Sequence, residues 1–253
     1  MKKILYIIML LLSVKSFACK CSTQNIENNY IQSDFVAKIK ILKKYPNIEN
    51  NDYYKVDIQI LDLYKGNSVK SIFIYGNYLN RQDSACWIFT QINEDLVIYA
   101  TKTNQNYQLE MCSNILRVNR KTNSNTTNKR HQKEIKILEN LKLNKVEFTN
   151  HIRFTSEDFH PMRRENYGIK LKREFAIFEL TFNEDLSVKC VKKIQGFRNK
   201  IDRNIKSFFK TSQWSSLNKN YKKNKIMKNT KTLVIIYYKV DEKNNTGYIT
   251  NKF

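Results

Sequence analysis

The sequence is poor in the residues that bend or break a chain, with 5 Gly and 2 Pro in 253 residues. That excludes collagen-like and Pro-rich linker classes. It has no Gly-rich phosphate loop, no His-Glu-x-x-His and no Gly-x-Ser-x-Gly, so the common phosphoryl-transfer, zinc-protease and serine-hydrolase signatures are missing. The three histidines, His131, His151 and His160, lack the close spacing with cysteine that a zinc site uses. Asp158 with His151 and His160 comes nearest to an acid–base or metal cluster and reads as solvated loop. Neither an enzyme nor a cofactor is expected. Beyond the N-terminus no segment approaches the run of about 20 apolar residues that a transmembrane helix needs. Arginine is scarce as well, since 35 of the 45 cationic residues are Lys.

Aromatic residues are plentiful, with 15 Tyr and 14 Phe, which is too many for a chain that stays disordered. At about 150 residues per domain the length suits one large or two small domains. A net charge of +22 would ordinarily suggest nucleic acid or an anionic membrane. Here the lysines are scattered, and with abundant Asn, Ile and Tyr they match the codon bias of an AT-rich genome. The charge therefore reads as a solvated surface, and nucleic acid is not expected as a partner.

Residues 1–18 read as a signal peptide: Lys2 and Lys3 precede the apolar stretch Ile4 to Leu12, and Ser16-Phe17-Ala18 supplies small residues at −3 and −1. Cleavage there makes Cys19 the first residue. The alternative is lipidation of Cys19, which would hold the protein on a membrane. Either way the location is exported: periplasm, cell surface or secreted. Five cysteines in such a compartment invite disulfides. Cys19, Cys21, Cys86 and Cys112 allow three pairings. Cys190, in the alternating run Ser187-Val-Lys-Cys-Val-Lys-Lys, reads as a buried small apolar residue.

A short helix is expected near Asn25 to Tyr30. Period-two alternation then marks strands at Asp34 to Leu42 and Tyr53 to Tyr64, followed by Val69 to Tyr75, Cys86 to Phe89, Leu96 to Thr101 and Tyr107 to Met111. Such a set of short strands with polar turns suits a small closed barrel or sandwich. Lys121 to Lys129 reads as loop and Gln132 to Leu143 as an amphipathic helix. No clean period runs through residues 144–172, which read as linker and an irregular domain start. Strands at Glu174 to Phe182 and Ser187 to Gln195, a helix at Ile201 to Phe209 and a strand at Thr232 to Val240 give a β-β-α-β unit over residues 173–253.

The N-terminal Cys-x-Cys, Asp34-Phe-Val-Ala-Lys-Ile, Tyr64-Lys-Gly66, Cys86, Leu96-Val-Ile-Tyr99-Ala and Cys112-Ser113 before a helix resemble the netrin-like module over residues 19–143. That module is the OB-type barrel of tissue inhibitors of metalloproteinases and their bacterial relatives. The resemblance implies disulfides from Cys19 to Cys86 and from Cys21 to Cys112. It also implies that the amine and carbonyl of Cys19 could chelate the zinc of a protease while Lys20 enters its specificity pocket. Lys20 is a long cation where the inhibitors carry a small hydroxylated residue.

Phe175 to Val188, Ile201 to Phe209, Trp214 and Leu233-Val-Ile-Ile-Tyr-Tyr-Lys239 resemble, more distantly, the TonB C-terminal domain. That resemblance implies an open sheet edge on which a peptide can add a strand. Trp214 itself reads as a core anchor.

The expected fold is thus β-rich with two domains, an OB-like closed barrel with a flanking helix and a small α+β domain. The expected function is non-enzymatic binding of a protein or peptide in the cell envelope. Inhibition of a zinc metalloprotease through Cys19 is the second reading, and binding of an anionic polymer by the Lys-rich surface the third.

Overall fold

In the computed structural model the described residues are 21, 25–47, 52–79, 86–118, 125–148, 150–156, 159–217, 226–241 and 243–253. Residues 1–18, read as a signal peptide, and Cys19 and Lys20 lie outside them. The first half contains α1 (Ile26–Gln32), β1 (Phe35–Lys44), β2 (Tyr53–Lys65), β3 (Ser71–Tyr75), β4 (Asp95–Thr103), β5 (Asn106–Leu109), β6 (Ile115–Arg117) and α2 (Asn125–Leu143). The strand order β1-β2-β3-β5-β4, with β4 returning to β1, closes a five-stranded barrel, and β6 flanks β4. All ladders are antiparallel except β3 with β5.

Alternation decides which side chains fill the barrel. Phe35, Ala37, Ile39 and Ile41 of β1 and Leu96, Ile98 and Ala100 of β4 point inward, where they meet Val56, Ile72 and Ile74. The residues between them, Val36, Val97 and Tyr99, point outward and are just as buried. They are covered by α1 and α2, which present Ile26, Tyr30, Ile31, Ile137, Leu138 and Leu141. Gly66, in the turn after β2, holds φ at +87°, and a Cβ there would lie 2.4 Å from the carbonyl oxygen of Asp34. Only glycine serves where this turn crosses the start of β1.

The second half contains β7 (Phe154–Ser156), α3 (His160–Glu165), β8 (Phe175–Phe182), β9 (Val188–Gln195), α4 (Ile201–Thr211), β10 (Trp214–Ser216), β11 (Lys231–Asp241) and β12 (Thr246–Thr250). β12-β11-β8-β9 form an antiparallel sheet, and β7 pairs with β10. One face of the sheet, with Ala176, Phe178, Leu180, Val191 and Ile236, packs on Ile205 and Phe209 of α4 and on Trp214. Trp214 is buried there, and its Nε1–H donates to the carbonyl of Phe209 at 3.2 Å.

The opposite face, with Phe175, Ile177, Leu233, Ile235 and Tyr237, joins the same cluster as α1, α2 and the outer face of the barrel. The molecule is therefore layered as α4, sheet, α1 with α2, and barrel. Two covered faces explain why β8 and β11 are nearly continuous apolar runs. The stretch 144–172, read as linker, contributes the buried Val146, Phe148, Ile152 and Met162.

Three expectations need correction. The stretch Lys121 to Lys129, read as loop, is helical from Asn125 onward. The apolar run Cys86 to Phe89 forms no strand; it is a turn and coil whose Ile88 still drops into the barrel core. Cys190 is an exposed free thiol rather than a buried one. It shares a face of β9 with Lys192, opposite the buried Val191, and pairs with Thr181. An irregularity pairs Phe182 with Val188 while Thr181 pairs with Cys190, so Lys189 is the extra residue, and the face read from simple alternation does not follow.

Candidate functional site

Two places combine accessible chemistry with a rigid setting. The first is the end of the barrel where β2 starts and β3 stops. Tyr53 and Tyr75 are cross-strand partners there, with rings edge to face at 5.5 Å between centroids. The phenol of Tyr53 donates to Glu110 Oε2, and Gln108 Nε2 donates to Glu110 Oε1 at 2.5 Å. Burial and the Glu110 carboxylate push the Tyr53 phenol above its ordinary pKa, so it stays a donor at any physiological pH.

A tight turn follows, in which Glu110 N–H donates to Ser113 Oγ at 2.8 Å and Ser113 N–H to the carbonyl of Glu110 at 2.9 Å. This turn presents Cys112, which is disulfide-bonded to Cys21 across 91 residues. The bond ties the N-terminal segment to this end of the barrel. Cys86 is disulfide-bonded too, and the partner expected for it, Cys19, lies outside the described residues. Two residues on, Ile88 N–H donates to the carbonyl of Tyr75 at 2.9 Å, so the Cys86 loop belongs to the same barrel end. Disulfide chemistry marks an oxidising, exported location. Among the described residues no helix is long and apolar enough to cross a membrane.

The second place is β9. It is an edge strand, and among the described residues no backbone hydrogen bond reaches its outer side. The other edge, β12, is held by the segment after α3, where Gly168 N–H donates to the carbonyl of Gly247 at 2.8 Å. Lys193 projects toward α4, where it pairs with Asp202 at 3.2 Å. Asp202 also accepts from Phe197 N–H at 2.8 Å, which fixes the entry to α4. On the other face Lys192 borders an open groove of about 530 Å³ with Phe148, Asn150, Glu179, Lys228 and Lys231. Glu179 is buried and pairs with Lys231 at 3.1 Å. Lys189 Nζ donates to Asn229 Oδ1 at 2.8 Å.

The histidine cluster takes a different form from the one the sequence raised. His151 lies 3.4 Å from Asp34 through Nε2 and 3.0 Å from the Gln32 carbonyl through Nδ1, so it links the second half to the end of α1. His160 opens α3, and Asp158 lies outside the described residues. Among the described residues no group of three or more His, Cys, Asp or Glu is placed to hold a metal ion.

Sequence reasoning passed over Tyr53, Glu110 and the groove beside β9. The polar pair joins the start of β2 to the residue after β5, far apart in the chain, so no local spacing could have joined them. Comparison with protein-family models and with curated proteins returns no match.

Proposed function

We propose that the protein is an exported, non-enzymatic binding protein that takes an extended peptide segment of its partner onto β9. The carrying observation is that β9 lies at the edge of its sheet and that among the described residues no backbone hydrogen bond reaches its outer side. Such an edge has its main-chain donors and acceptors fixed in direction, so an incoming strand gains hydrogen bonds at little ordering cost to the receptor. This is also the mode that the distant TonB-like resemblance implies. The barrel is then the OB-type scaffold of the netrin-like module, supported by its strand order and its parallel β3–β5 closure.

The exposed thiol of Cys190 lies on β9 and supplies the probe. With an environment-sensitive dye on Cys190, peptides selected from a random library should change the dye emission and slow amide exchange along 188–195. Selected peptides that protect other segments and leave β9 unchanged would overturn the reading.

A second reading has support at the barrel end. Cys86 is disulfide-bonded, and the netrin-like resemblance implies Cys19 as its partner. That pairing would hold the terminal amine as a zinc-chelating inhibitor needs. An α-amine with pKa near 7.7 to 8.0 is neutral often enough to serve as a ligand. Adding one Ala before Cys19 should abolish inhibition of a sensitive zinc endopeptidase. Lys20→Thr should strengthen it by sparing a cation from desolvation. Indifference of a protease panel to both the native protein and Lys20→Thr would remove this reading.

A further inference from the structure

Resting on the edge reading, we infer that the strand accepted by β9 is acidic, with Asp or Glu along an otherwise β-prone segment. β9 carries Lys189, Lys192 and Lys193 among its eight residues and no carboxylate. Lys192 stands on one face and Lys193 on the other, where Asp202 already holds it, so the acidic residues of an added strand are expected on the Lys192 side. The groove on the Lys192 face adds Lys228 and Lys231. Two carboxylates line it, Glu147 and the buried Glu179 that pairs with Lys231, and with Lys145 the four lysines outnumber them, so the groove is positive overall.

The same charges settle which strand is refused. A second copy pairing edge to edge would set one lysine trio against another, the arrangement by which natural sheets keep free edges from self-association. Like charges directly opposite destabilise a ladder, and opposite charges stabilise it. The lysines therefore close β9 to its own kind and leave it open to an anionic strand. Nothing in this depends on the protein's total charge, because it concerns only the residues an added strand would touch.

The test uses the full chain and three synthetic eight-residue peptides. One alternates Glu with Val, the second replaces each Glu by Gln, and the third places Pro at two central positions of the first. Binding followed by calorimetry and by amide exchange over 188–195 should rank the Glu peptide first and show it weakening as salt is raised. In the doubly substituted Lys189→Glu, Lys192→Glu protein the Glu peptide should lose affinity about tenfold or more, while the Gln peptide is nearly unaffected. Both lysines are exposed, and native-like thermal unfolding of the variant confirms its fold.

Equal binding of the Glu and Gln peptides at β9 would overturn the acidic preference and leave the edge reading standing. Equal binding of the Pro peptide would overturn strand addition itself. Tight binding of a heparin oligosaccharide with no protection of β9 by any peptide would overturn both and favour polymer binding.

Discussion

Raising the pH from about 5 to about 8 is expected to cost the fold roughly 3 kcal/mol, because Glu27 must ionise inside the core. Glu27 is buried in the first turn of α1, and its Oε2 has no hydrogen-bond partner. Desolvation pushes its pKa from 4.5 up to about 7, partly offset by hydrogen bonds from its own backbone and from Asn25. Across the same layer lies Tyr237, whose hydroxyl is also buried and unpartnered. Glu134 of α2 is shifted in the same direction by burial, although it accepts hydrogen bonds from Tyr99 at 2.6 Å and Asn114 at 3.2 Å.

The sign follows from proton counting. Below the unfolded value both states hold the proton and stability is complete. Between the unfolded and folded values only the native state holds it, so stability falls as pH rises and levels off above about 7. His131, lowered by burial and by Arg130, acts the other way near neutrality but is only partly buried. Lys65, lowered to about 8 by burial, should restore some stability at higher pH. Urea unfolding at a series of pH values should show the fall in the native protein and lose most of it in Glu27→Gln. An unchanged pH dependence in that variant would show that Glu27 is not its source.

Loss of the Cys21–Cys112 disulfide is the second large effect. Closing a loop across 91 residues should be worth about 4–5 kcal/mol on the chain-entropy model. For a chain of this size that corresponds to a fall in Tm of about 10 °C or more in the double variant Cys21→Ser, Cys112→Ser. The fall should match that produced in the native protein by a reductant, up to the further contribution of the bond at Cys86. A double variant that melts with the native protein would mean that the segment before α1 adds nothing to the barrel's stability.

Much of the strand content could be read from alternation alone, because β1, β2 and β4 each bury one set of side chains inside the barrel. What alternation could not reveal was that the other set is buried as well. Val36, Val97 and Tyr99 look like ordinary outward positions until α1 and α2 cover them. The closure of β1 on β4 and the parallel meeting of β3 with β5 join distant segments and leave no local signature. α2 begins seven residues before its expected start because its first turns, Asn125 to His131, carry no apolar period; once nucleated by Ile137, Leu138 and Leu141 a helix extends through them at little cost. β6 and β12, at 3 and 5 residues, are too short to show a period. At the candidate sites the cysteines were visible from the sequence. The free edge of β9 was not, since strand order decides which strand lies outermost.

The helical layer held in common by barrel and sheet also determines how this chain can be divided. A fragment ending at residue 143 would retain α1 and α2 with Phe175, Ile177, Leu233, Ile235 and Tyr237 stripped from their outer side. A fragment beginning at 173 would offer those same side chains bare to water. Each piece would then expose an apolar face that the intact chain buries, so barrel and sheet are expected to unfold in one transition.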